Sequence, residues 1–125
     1  MTVEQAVQTA LAASGALTAL IPAARIRIAG DHVQLDDPYL IHGPSRERSQ
    51  AYLGGGYASL RGFDYSVSVF ARALSLANQA AEAARSALAS IGSGAIAIIE
   101  GSTRSYEPET RLYQITIEAR VWLAP

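Results

Sequence analysis

Apolar residues recur along this chain with two distinct periods, and the switches between them outline the elements. Val3, Val7, Leu11, Leu17, Leu20 and Ile21 recur near helical spacing, behind Thr2 and Gln5 placed as a capping box. This predicts an amphipathic opening helix, broken at Ser14-Gly15, with residues 16–21 as a last turn or short second helix before Pro22. At Arg25-Ile26-Arg27-Ile28 the period becomes two, a short strand that stops at Gly30-Asp31. Residues 39–52 are again extended, introduced by Pro38, and Pro44 within them predicts an edge position or a bulge because it has no N–H to donate. Over residues 61–71, Phe63, Tyr65, Val67, Val69 and Ala71 share one face while Asp64, Ser66 and Ser68 share the other.

The helical period returns over residues 75–91, with Ser75 as the predicted N-cap. Leu76, Ala80, Ala83, Ala84, Ala87, Leu88 and Ile91 form its stripe, which is mostly alanine and so suits close packing across a sheet. Gly92-Ser93-Gly94 ends it. Residues 95–106 and 111–123 then predict a hairpin around Glu107-Pro108-Glu109-Thr110. In the last strand Tyr113, Ile115, Ile117, Ala119, Val121 and Leu123 face the core and alternate with Gln114, Thr116, Glu118, Arg120 and Trp122. Trp122 is thus an indole on a polar face, either shielded by a neighbouring segment or available to a partner. The order of elements predicts an α+β fold: a mixed, largely antiparallel sheet with two main helices packed on one side. At 125 residues, without an internal repeat or linker, the chain predicts a single domain over 1–125.

Composition narrows the chemistry more than it suggests any. The ten basic residues are all arginine and are balanced by eleven acidic ones, so a net charge of −1 supplies no general pull towards nucleic acid. With no cysteine, thiolate catalysis, Cys-based zinc sites and disulfide scaffolds are excluded. No apolar stretch reaches the roughly 18–20 residues of a membrane span. The alanine-rich start carries Glu4 and no basic residue before Arg25, unlike an export signal, so the expectation is cytoplasmic synthesis with no membrane partner.

His32 and His42, with Asp31, Asp36 and Asp37, supply metal-ligand types, but their spacing matches no recognised site, and the plain reading is a polar loop entering a strand. No serine sits in a G-x-S-x-G elbow. The carboxylate pairs at Asp36-Asp37 and Glu107/Glu109 lie beside prolines in turn-like segments, where adjacent side chains point apart. Gly54-Gly55-Gly56 cannot be a Walker loop without a lysine, and the dinucleotide fingerprint is absent. The glycines instead mark residues 46–61 as a flexible loop with apolar tips at Tyr52, Leu53, Tyr57 and Leu60, a candidate interface or an ordinary hairpin tip. Arg46 and Arg48 flank Glu47 and project from one face of an extended segment, where they either grip an anionic partner or protect a sheet edge. Arg25 and Arg27 pose the same choice. Arg120 and Trp122 complete the candidate interface set on the last strand. No catalytic, cofactor or metal residue is predicted.

The whole pattern, rather than any motif, resembles the tail-completion or tail-terminator proteins of long-tailed bacteriophages and gene transfer agents. "VEQAVQTALAASGALTALIPAARIRI" is similar to that family's opening helix, short second turn and first strand, and "DDPYLIHG" to its proline-introduced second strand. "FDYSVSVFARALSLANQAAEAARSAL" resembles its strand and alanine-rich helix, and "STRSYEPETRLYQITIEARVWL" its closing hairpin. The glycine loop "AYLGGGYASL" maps to no family rule. The resemblance implies a structural virion protein without enzymatic activity. Such proteins form a homohexameric ring on the head-proximal end of the tail tube, stop its polymerisation and offer a joining surface to the head-side connector. The implied partners are other copies of the chain, the tube protein and the connector or stopper, with DNA passing through unbound; the implied place is the neck-proximal end of the virion tail, assembled in the bacterial cytoplasm. The competing readings are a head-to-tail adaptor or stopper of the neck, and a small enzyme or ligand-binding domain built on His32, Asp36, Asp37 and His42.

Overall fold

The computed structural model describes residues 2–30, 36–48, 61–92 and 94–123. Helix α1 spans Val3–Ala13 and opens with the capping box. The Gln5 N–H donates to Thr2 Oγ1 at 3.1 Å and the Thr2 N–H to Gln5 Oε1 at 2.9 Å, so two otherwise orphaned donors are satisfied. Ser14 both ends α1 and starts α2, Gly15–Thr18. Its N–H reaches the Leu11 carbonyl at 3.2 Å, while its Oγ accepts from the Leu17 N–H at 3.2 Å. The predicted break at Ser14-Gly15 is therefore a change of helix direction around one serine. A 3₁₀ turn, Ala23–Arg25, leads into β1, Ile26–Ile28.

The remaining strands are β2, Tyr39–Arg48; β3, Arg61–Ala71; β4, Ala95–Glu107; and β5, Leu112–Leu123. Helix α3, Leu74–Ala89, joins β3 to β4. The five strands form one sheet in the order β1-β2-β3-β5-β4, in which only β1 and β2 run parallel. This is the predicted α+β fold, a mixed and mostly antiparallel sheet with α1 and α3 on one side.

The period-two reading of β3 and β5 holds position by position. Tyr65, Val67, Val69, Ala71, Ile117 and Val121 are buried at 0–2% exposure beneath the helices. Each large side chain buried in this way contributes about 1.5–3 kcal/mol of transfer free energy. Helix α3 packs on this face and against α1 with Ala77, Ala80, Ala81, Ala83, Ala84 and Ala87 all buried and Leu88 completing the stripe. Side chains this small bring a helix close to a sheet.

One local prediction is corrected. Helix α3 begins at Leu74, and its N-cap, Ala73, makes no side-chain cap bond, so Ser75 lies inside the first turn instead of capping it. The entry is set by the rotation that buries Ala77, Ala80 and Ala84 a few residues after β3 ends, and packing overrides the capping preference.

Pro44 fulfils both readings of its position. The β2–β3 register shifts between Pro44 and Arg46, and β1 has ended by then, its last pair being Ile28 with His42. A second shift in β4, between Ile99 and Gly101, leaves Glu100 as the extra residue. Through β3 and β5 the two irregularities fall on one row, Pro44, Tyr65, Ala119 and Ile99. The hairpin turn closes with the Arg111 N–H on the Glu107 carbonyl at 2.8 Å, and Arg111 takes the left-handed conformation at φ 60°, so β5 starts one residue later than predicted.

Candidate functional site

The face of the sheet away from the helices carries polar side chains over its centre and apolar ones at both ends. At the centre, the Ser66 hydroxyl donates to Glu118 Oε2 at 3.1 Å, and Ser68 and Thr116 share a 3.0 Å hydrogen bond. Towards the hairpin tip, Tyr39 stacks on Phe70 with ring centroids 4.6 Å apart. Those rings border a cleft of about 330 Å³ with Leu112 and Gln114.

At the other end, Trp122 lies between Gly62 on β3 and Ile96 on β4. Its indole covers Gly62 so closely that a Cβ there would overlap the ring, so the neighbouring segment that half shields Trp122 is the backbone of β3. Arg120, one row away, is half-buried and pairs with Glu100, Nε to Oε2 at 3.3 Å. The bulge supplies that carboxylate. Ile96 and Ile98 flank this pair at 57% and 54% exposure. The structure thus joins Arg120 and Trp122 with two isoleucines that sequence reasoning left unmarked. The signal for them lay in the alternation of β4: Ala95, Ala97 and Ile99 face the helices, which puts Ile96 and Ile98 on the open side.

The other expected interface residues divide in two. Arg46 and Arg48 occupy β2 positions opposite Asp64 and Gly62, in the same rows as Arg120 and Trp122. Tyr52, Leu53, Tyr57 and Leu60 lie outside the described residues.

Of the residues weighed as metal ligands, Asp31 and His32 also lie outside the described residues, and Asp37 pairs with Arg72 at 3.2 Å. His42 is 1% exposed in the core, with both ring nitrogens engaged. Its tautomer follows from the chain of bonds. Gln8 Nε2 donates to the Ile26 carbonyl at 2.9 Å, so Gln8 Oε1 is the acceptor facing His42 Nε2 at 2.7 Å, and that nitrogen carries the proton. Nδ1 then accepts from the Tyr65 hydroxyl at 2.7 Å. Burial pushes the His42 pKa down to about 4, and burial, with the charge of Glu4 second, pushes the Tyr65 hydroxyl up, so both stay neutral and the pattern holds at neutral pH. His42 therefore ties α1, β1, β2 and β3 together instead of facing solvent. Its place beside Leu40 in the alternation of β2 was the available clue.

Residues 5–124 match the family model of tail completion protein gp17. The chain belongs to that family. No curated protein matches the sequence. Among solved structures, a chain of the virion of a native gene transfer agent particle matches with a TM-score of 0.76 at 20% identity, covering 98% of this chain and 95% of the other. At that identity the likeness is one of fold. The resemblance read from the order of elements is thus shown by the tail completion family match over nearly the whole chain, and the fold agrees with it.

Proposed function

We propose that this chain is a structural subunit, a single domain without enzymatic activity, that forms a homohexameric ring on the head-proximal end of the tail tube. The ring ends tube polymerisation and gives the head-side connector or stopper its joining surface. The tail completion family match over residues 5–124 carries this reading. The surfaces agree with it. A ring subunit needs two unlike side surfaces and two further ones for unlike partners. This chain has two different sheet edges, an open face with apolar residues at each end and a projecting hairpin in which residues 102–111 are exposed. The near-neutral charge suits a ring through which DNA passes unbound.

Arg120 and Trp122, with Arg46, Arg48, Tyr52, Leu53, Tyr57 and Leu60, are the proposed contact residues, and all but the first two lie on or next to the segment joining β2 and β3. The subunit is made in the host cytoplasm and ends in the virion at the neck end of the tail. Adding the purified protein to polymerising tube protein tests the reading. Six-fold caps on one end of shortened tubes, seen by negative-stain microscopy, are expected. Binding to the portal side with no effect on tube length would refute it in favour of a neck adaptor or stopper.

A further inference from the structure

The two edges of the sheet fit each other. On one side β4 is outermost and, among the described residues, has no partner on its outer edge over thirteen residues. On the other side β1 covers β2 only from Leu40 to His42, so β2 beyond Gly43 is likewise open among the described residues. A long edge in water templates association unless charge or proline blunts it. The first five residues of β4, AIAII, contain neither, and Ile96 and Ile98 stand exposed there.

Polarity and level both favour a second copy of this chain as the occupant. β2 and β5 run one way, β3 and β4 the other. When two copies stand side by side with their helices on the same face, β4 of one meets β2 of the next antiparallel, the more stable ladder. The rows agree as well: Arg48, Gly62, Trp122 and Ile96 form one, and Arg46, Asp64, Arg120 and Ile98 another. The open part of β2 is therefore level with the part of β4 that exposes its isoleucines. Rotation without rise, the operation that closes a ring, brings equal levels together.

We propose that residues 95–99 of one copy add as an antiparallel strand to residues 44–48 of the next, joining subunits head to tail. The incoming β4 turns away from the edge at its Glu100 bulge, because its residues 102–104 lie level with the part of β2 that β1 covers. This rests on the ring reading above and names the contact that closes the ring. The β2 edge accepts the strand past the end of β1, whose own Ile26 carbonyl is already held by Gln8.

The chain has no cysteine, so introduced pairs report without background. Arg46→Cys is combined with Ile98→Cys, or with Ile96→Cys to allow a two-residue offset, in the full chain, with circular dichroism confirming the fold. Assemblies formed alone or on tube protein are oxidised mildly and run without reductant, beside native mass spectrometry. A covalent ladder in at least one double variant, ending at the ring size and absent from each single variant, is expected. In the unmodified protein, amides of residues 95–99 gain at least tenfold protection from hydrogen exchange on assembly. Assembly with neither ladder nor protection overturns the strand contact and leaves the ring intact. Dimers from Ile98→Cys alone overturn it in favour of β4 pairing with itself, and protection that requires tube protein, without a ladder, in favour of a tube strand. Absence of any assembly, alone or on tube protein, overturns the ring reading and this contact together.

Discussion

Acid should loosen this fold through His42. The folded state holds His42 neutral, with a pKa of about 4 against 6.5 for an ordinary histidine. Above pH 6.5 both folded and unfolded chains carry the neutral ring, and the stabilisation is fully present. As pH falls below 6.5 the unfolded chain takes up a proton that the folded chain refuses until about pH 4, so stability declines through that window and the contribution levels off below it. At 1.36 kcal/mol per pH unit the whole loss is about 3 kcal/mol, of which about 2 kcal/mol is gone by pH 5. Trp122, the one tryptophan, reports unfolding in urea by its fluorescence. The comparison is between the unmodified protein and His42→Gln, each at pH 7.5 and pH 5 and at one low protein concentration. The glutamine variant should be less stable at pH 7.5, because Tyr65 and Gln8 lose part of their bonding. Its fall between the two pH values should nevertheless be smaller by about 2 kcal/mol. Carboxylates and His32 are common to both proteins and cancel in that difference. Equal falls in the two proteins would refute the assignment of His42 as a buried neutral group.

Tyr65→Phe removes the donor to His42 Nδ1 and leaves a buried acceptor unpaired, for an expected loss of about 1–3 kcal/mol, read as a lower urea midpoint with an unchanged slope. Ala84→Leu forces bulk into the fully buried contact of α3 with the sheet and should cost about 1–3 kcal/mol or more, whereas Glu82→Ala on the exposed side of the same helix should stay within about 0.5 kcal/mol in thermal melts. Gly62→Ala places a methyl group where the Trp122 indole lies; a red-shifted emission and a lower melting temperature are expected, and an unchanged spectrum would show that the ring does not rest on β3.

Signals of known mechanism are legible in short stretches of the chain. The Thr2 and Gln5 capping box, the break at Ser14-Gly15, the bulge at Pro44 and the alternation of β3 and β5 each follow from a few neighbouring residues, and each stands where expected. Ser75 misled because several starts are open to an alanine-rich helix, and the contact that selects one of them, Ala77 and Ala84 against the sheet, is remote in sequence. His42 drew notice as a metal-ligand type, whereas its partners, Gln8 and Tyr65, stand 34 and 23 positions away along the chain. The extra residue at Glu100 left no local mark either, since glutamate, unlike proline, is compatible with regular pairing.

By itself the sequence determined which faces are apolar, where the period changes and which chemistries are closed, because those depend on side-chain type and spacing of a few residues. It also carried the order of elements in which the tail completion family is recognised. Only the tertiary structure decided strand order, the parallel placement of β1, the neutral histidine in the core and the shared level of Ile96 and Ile98 with the open end of β2. Those properties arise from contacts between segments far apart in the chain, and the free energy that selects them resides in packing and paired polar groups that no single segment contains.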